Sequence, residues 1–288
     1  MSDRAVVTEA FEESRPYLRG VAYRMLGSMT DADDALQEAW LRLDRNDENI
    51  DDLRSWLTTV VGRICLDMLR RRKVREHESY GGWLPEPIVS DADGSDPEGL
   101  AVVADSVGMA LLVVMEQLSP AERVAFVLHD VFAMPFEEVG EVLGRSADAS
   151  RQLASRARRR VQGASAPEEA DRREQRRVVD AFLAASRAGN LQMLLEVLDP
   201  DVVFRMDIGP ARPDVPALIT GAQAVAENVL TNGTPLAGLA QPVLVNGSAG
   251  VVVGSREHPI AIVNFVVSAG RIVEIDLIAD PAKTRPRA

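Results

Sequence analysis

The residues best suited to chemistry lie between 118 and 161, LSPAERVAFVLHDVFAMPFEEVGEVLGRSADASRQLASRARRRV. From Arg145 to Arg160 there are six arginines (Arg145, Arg151, Arg156, Arg158, Arg159, Arg160) against one acid, Asp148. Arginine can make a bidentate contact with guanine, glutamine with adenine, and further arginines can hold phosphates. The spacing predicts two helices around a tight turn. Pro135 suits a first helical position, Glu137 and Glu138 its first turn, and Gly144 its end. Ser146 can cap the second helix, where Leu153, Ala157 and Val161 form a buried stripe at four-residue intervals. Arg151, Ser155 and Arg158 then face outward, flanked by Gln152, Arg156 and Arg159. This is a helix-turn-helix pattern whose second helix suits a DNA major groove; a solvated basic helix is the bland alternative.

A second basic island, Arg54 to Arg75, holds seven cations against Asp67. SWLTTVVGRICLDMLRRRK joins Trp56 to Ser55, Thr58 and Thr59, and ends on Arg70, Arg71, Arg72 and Lys73. An aromatic beside cations suits an unpaired nucleic-acid strand. Taken alone, the stretch fits a core tryptophan and a cationic helix C-terminus as well. Acid is concentrated elsewhere, in DADDALQE (31–38), NDENIDD (46–52) and SDADGSDPEG (90–99), and the net charge is −12. Segregated charge of this kind allows local polyanion contacts on an acidic protein.

Helices must position these groups. Ala32, Leu36, Ala39, Trp40 and Leu43 recur at helical spacing behind Thr30, and Leu53, Leu57, Val60, Ile64 and Met68 do so in the next segment. Residues 76–100 are rich in Gly, Pro, Asp and Ser and form a linker containing GGWLPEPIV (81–89). Helices resume to about 163, and GASAPEEA (163–170) marks a hinge placed at 164–171. Beyond it a helix at 172–188 stops at Gly189-Asn190, and five β-rich runs follow, with Asn246-Gly247 and Ala269-Gly270 between them. The expected fold is multidomain: two all-α domains, then an α+β domain with helices on a curved antiparallel sheet.

One cysteine, Cys65, permits no internal disulfide and fits a reducing compartment. The three histidines and Cys65 show no metal-ligand spacing, so neither metal nor cofactor is expected. Neither a signal-peptide pattern nor a membrane-spanning apolar run is present, so the expected location is the cytoplasm, with no membrane partner.

AYRMLGSMTDADDALQEAWLRL followed by SWLTTVVGRICLDMLRRRK resembles region 2 of an extracytoplasmic-function (ECF) sigma factor, and residues 118–161 resemble region 4. The resemblance implies region 2 at 1–75, the linker at 76–100, region 4 at 101–163 and a third domain at 172–288. It implies a transcription initiation factor whose partners are core RNA polymerase and promoter DNA. Asp31, Asp33, Asp34, Gln37 and Glu38 would meet the β′ clamp helices. Arg54, Ser55, Trp56, Thr58, Arg63 and the Arg70–Lys73 cluster would read and melt the −10 element. Arg145, Ser146, Arg151, Gln152, Ser155, Arg156, Arg158 and Arg159 would read the −35 element.

Trp83-Leu84-Pro85-Glu86-Pro87 resembles the linker signature of an ECF subgroup that carries a C-terminal SnoaL/NTF2-like domain. That resemblance implies regulation in cis in place of a separate anti-sigma factor, with Trp83 as an anchor against the third domain. Asp207, Gly209, Asp280 and Lys283 loosely match the subgroup's regulatory motifs, while DIGPARPD (207–214) and ADPAKTRP (279–286) otherwise depart from them. SnoaL-like folds include cyclases and isomerases, so Asp207, Asp276, Arg205, Asn264 and His258 are the available acid–base groups. No pair has a catalytic spacing; a small-molecule effector pocket or plain protein docking are the other uses. Asp276 is expected to point into a cavity or toward the linker, or else to face water.

Overall fold

The computed structural model describes residues 3–46, 50–76, 83–92, 108–163, 171–209 and 217–285. Linker residues 77–82 and 93–100, the start of region 4 at 101–107, hinge residues 164–170 and residues 210–216 lie outside them. The chain forms two compact units, one of residues 1–78 and 112–165, the other of 79–111 and 166–288.

In the first unit α1 (Asp3–Leu26), α2 (Met29–Asp44) and α3 (Leu53–Glu76) bury one another's apolar stripes. Phe11, Leu18, Leu36, Leu57 and Val61 are at most 1% exposed. The cap of α2 is Ser28, whose side chain accepts from the Asp31 N–H, so the helix begins one residue before Thr30. After α4 (Met109–Glu116) come α5 (Pro120–Phe126), a π turn (Val127–Val131), α6 (Phe136–Leu143) and α7 (Ala147–Gly163). Ser119 and Glu122 form a reciprocal capping box on α5. Pro135 caps α6 rather than entering it, and Gly144 ends α6 with φ of 63°. Within this unit α3 packs on α6 so tightly that a Cβ added to Gly62 would lie 2.9 Å from a Val142 methyl.

The second unit has α8 (Arg172–Ala188), α9 (Leu191–Val197) and α10 (Ala222–Asn228) on one face of a sheet. Its strands are β1 (Val89–Asp91), β2 (Leu198–Asp207), β3 (Leu218–Thr220), β4 (Ala240–Val245), β5 (Ser248–Gly254), β6 (Pro259–Ser268) and β7 (Arg271–Ile278), and α11 (Pro281–Thr284) follows. They lie in the order β1-β4-β5-β6-β7-β2-β3. The Asn246-Gly247 turn of the β4–β5 hairpin has φ of 49° and 85°, as its mirror-image turn geometry requires. β2 pairs with β7 in parallel, so the expected all-antiparallel sheet is in fact mixed. Parallel pairing needs a long crossover, and the whole β3–β6 stretch supplies it. A further departure is β1: a segment expected to be linker only forms one outer strand of the sheet, beside β4.

Alternation sorts the sheet's two faces. Phe204, Val263, Phe265 and Ile275 join Val179, Phe182 and Leu194 of the helices in one apolar core. Arg205, Asp207, Asn264 and Asp276, one step out of phase, belong to the other face.

Candidate nucleic-acid surfaces and linker clamp

On α7 the hydroxyl of Ser146 accepts from the Ala149 N–H at 3.2 Å and so fixes the start of the helix. Ser150, Leu153, Ala154 and Ala157 are buried against the rest of the first unit, while Val161 is half-buried. Arg145, Arg151, Gln152, Arg156 and Arg159 are exposed. A shallow groove is lined by Arg151, Gln152, Ser155, Arg156 and Arg159 together with Asp148. Arg158 is not part of it: its Nε donates to Asp130 of the π turn at 2.8 Å, placing it on the shoulder of the helix. Arg151 pairs with Asp148 and lies over the ring of Phe136, which stacks on His129 at 3.7 Å. Glu122 and Asp130, which sequence reasoning missed, both bind arginines of α7.

The α3 surface needs two corrections. Thr58 is buried, and its hydroxyl donates to the Arg54 carbonyl at 2.7 Å, a bond internal to the helix that removes it from any nucleic-acid surface. Arg72 is half-buried, with its guanidinium on the Leu26 carbonyl at 3.0 Å and on Glu116 at 3.3 Å. It ties α3 to its neighbours instead of pointing outward. Arg54 lies 3.9 Å over the Tyr17 ring, Arg70 pairs with Asp67, and Arg71 and Lys73 are exposed. Ser55, Trp56, Thr59 and Arg63 share a cleft with Glu141. There the Ser55 hydroxyl donates to Glu138 at 3.1 Å and Arg63 donates to the Glu141 carbonyl at 3.0 Å.

On α2, Asp34, Gln37 and Glu38 are exposed and Asp31 and Asp33 half-buried, so all five stand on one side of the helix. Arg19 partly neutralises Asp33 at 2.7 Å, and Arg42 partly neutralises Glu38 at 3.0 Å.

The linker residues converge on the third domain. Asp207, at the end of β2, accepts the Leu84 N–H at 2.9 Å and the Lys283 ammonium at 2.6 Å. The same ammonium donates to the Leu84 carbonyl at 2.6 Å and sits 4.2 Å from the Trp83 ring centroid. Gly209 has φ of 76°, and a Cβ there would lie 3.0 Å from the Asp280 carboxylate, so only glycine fits. Asp280 in turn caps α11, the helix that carries Lys283. At the far end Ile88 and Asn246 exchange two hydrogen bonds, at 2.8 and 3.0 Å, where β1 joins β4. Three strands separate β2 from β4, so residues 84–88 bridge the sheet. Leu84, Pro85, Glu86 and Pro87 are buried and Trp83 is half-buried. Leu84 is therefore the deeper anchor, and Trp83 shields the ammonium.

Asp276 faces neither water nor an open cavity. It is fully buried, 3.2 Å from both Arg205 and the Asn264 amide, and Arg205 also holds Glu274. Burial pushes its carboxyl up to about 6, with Arg205 opposing and Glu274 adding to the rise. The folded protein thus holds a proton that the unfolded chain, near the ordinary 3.8, has released. Stability is lost as pH rises through that window, and the cost is fully present above about 6, on the order of 3 kcal/mol. Asp276→Asn is expected to gain on the wild type between pH 4.5 and 7.5 by that order. Urea unfolding followed by Trp83 fluorescence, in a Trp40→Phe/Trp56→Phe background, measures it; parallel pH curves would contradict the assignment.

Comparison with known proteins accords with this geometry. The sigma-70 region 2 model matches residues 10–75 and the sigma-70 region 4 model residues 108–161. The chain is 42% identical over 289 residues to "ECF RNA polymerase sigma factor SigJ" of Mycobacterium tuberculosis, covering 95% of this chain and 91% of that protein. It is 34% identical over 295 residues to "Probable ECF RNA polymerase sigma factor SigI" of the same species, covering 99% and 97%. The crystal structure of the M. tuberculosis SigJ superposes with a TM-score of 0.77 at 41% identity, over 96% of this chain and 97% of that one.

Proposed function

This chain belongs to the extracytoplasmic-function RNA polymerase sigma factors, and from that premise we propose that its third domain regulates it in cis by gripping the linker between regions 2 and 4. The observation that carries the reading is Asp207, which accepts a linker amide and the half-buried Lys283 ammonium on one oxygen. In this reading the acidic side of α2 meets the basic clamp helices of β′, α3 serves the −10 element, and α7 serves the −35 element. Opposite charge on the two partners suits the first of these contacts. The factor acts in the cytoplasm and needs no separate anti-sigma protein. The third domain is regulatory, not catalytic: the buried Asp276 carboxyl is tied to Arg205 and Asn264, and the linker is the domain's ligand.

Regions 2 and 4 are in contact within the first unit, and Ser55 and Arg63, two −10 candidates, are engaged by α6. That packing is a resting state which polymerase binding must open. The direct test is run-off transcription with core polymerase, comparing the full chain with a chain ending at Gln162. A coupling of ordinary size changes output about 5–150-fold. Equal output from the two chains would remove regulation in cis while leaving the sigma activity intact.

A further inference from the structure

The arginines of α7 are not equivalent: Arg151 pairs with Asp148 of the same helix, whereas Arg156, Arg158 and Arg160 are held by acids outside it. Arg160 donates to Glu122 at 2.7 Å, and the Arg156 Nε is 3.5 Å from the same carboxylate. Glu122 is itself fixed, 7% exposed, by the Ser119 hydroxyl at 2.7 Å and the Ser119 N–H at 3.1 Å. Burial opposes its charge, but Ser119, Arg160 and Arg156 outweigh that and hold its pKa below the usual range. On the other side Arg158 directs Nε and Nη2 at one oxygen of Asp130.

Residues in a helix advance 100° each, so Arg156 and Arg160 fall on one shoulder of α7 and Arg158 on the other. Gln152, Ser155 and Arg159 lie between the shoulders, facing away from the buried side. A helix with side chains is about 10–12 Å across, close to the roughly 12 Å width of the major groove. Shoulders of such a helix meet the phosphate walls, and only its outward line meets base edges.

We propose that Glu122 and Asp130 are positioning residues of the −35 reader: they hold Arg156, Arg160 and Arg158 as phosphate clamps and leave sequence readout to Gln152, Ser155 and Arg159. The inference rests on α7 being the −35 helix. A tied arginine still offers donors; Arg158 keeps Nη1 free of the Asp130 bond. Because the pair carries little net charge, its contact sets register without adding much salt-dependent, sequence-blind attraction.

The experiment is promoter selection by reconstituted holoenzyme from a library randomised at the −35 window, repeated at several salt concentrations. Arg159→Ala is expected to lose base preference at one or two positions, by roughly 5–150-fold. Arg158→Ala is expected to weaken all sequences alike. Asp130→Asn is expected to raise occupancy of unrelated sequences several-fold and to steepen the salt slope by about 0.9, with the preferred bases unchanged. Glu122→Gln, which keeps a capping-box side chain, is expected to do the same and covers the case of an Asp130→Asn chain that does not fold. A change of preferred bases in Arg158→Ala, or an unaltered salt slope in both acid variants, would overturn the sorting. A wild-type holoenzyme with no −35 preference would overturn the −35 assignment itself, and the sorting with it.

Discussion

Asp207→Ala is expected to release the linker from the third domain at a cost of about 3–5 kcal/mol, the range for removing one partner of a buried pair. The Lys283 side chain is 11% exposed and the Asp207 side chain 6%, so water cannot take over the carboxylate's role. The variant strands an ammonium among the Leu84 carbonyl and the Trp83 ring, and it also deprives the Leu84 N–H of its acceptor. Asp207→Asn should cost less, because an amide oxygen can still accept that N–H. Trp83→Ala should cost less again, since a cation–π contact contributes about 0.5–2 kcal/mol. Lys283→Met supplies the second arm of a double-mutant cycle: combined with Asp207→Ala it should recover part of the loss, because no unpaired charge then remains. Hydrogen exchange at the Leu84 and Ile88 amides reads the docking directly. Run-off transcription should move toward the output of the chain ending at Gln162, in the same order of variants. Protected amides and unchanged transcription in Asp207→Ala would refute the clamp.

Much of this was legible in the sequence where the signal is local. Gly144 ends a helix and Ser146 starts the next because each acts within four residues of itself, and both appear in place. The linker signature WLPEP pointed to docking, and Asp207, Gly209, Asp280 and Lys283 do gather at its first turn of contact. What escaped depends on long sequence separations or on helix phase. Arg158 meets Asp130 across 28 residues and Arg160 meets Glu122 across 38, and no periodicity announces such pairs. Thr58 looked like a surface hydroxyl by type, but its phase on α3 turns it inward to its own backbone. The parallel pairing of β2 with β7 joins segments about 70 residues apart, and pairing order is invisible to strand propensity. Asp276 could be placed on a strand but not on a face until its register opposite Arg205 and Asn264 was known.

The second large effect concerns the grip of region 4 on region 2. Between elements labelled −10 and −35 lie about 25 base pairs, roughly 85 Å of B-form duplex. Helices α3 and α6 are in van der Waals contact at Gly62 and Val142, so in the proposed roles α3 and α7 cannot both reach the two elements without separating. A disulfide across that contact should therefore abolish initiation. Gly62→Cys with Val142→Cys suits the purpose, because the added Cβ would sit 2.9 Å from a methyl of Val142, within disulfide reach. Cys65, buried with its thiol pKa pushed up by desolvation, is a poor competitor, and Cys65→Ala removes it altogether. The oxidised triple variant is expected to give background run-off transcription with core polymerase, and reductant should restore the reduced chain's output. Binding of core polymerase through the acidic side of α2 should survive oxidation, since that side takes no part in the α3–α6 contact. Initiation by the oxidised chain at the level of the reduced one would mean that regions 2 and 4 work without parting, and the resting-state reading would fall.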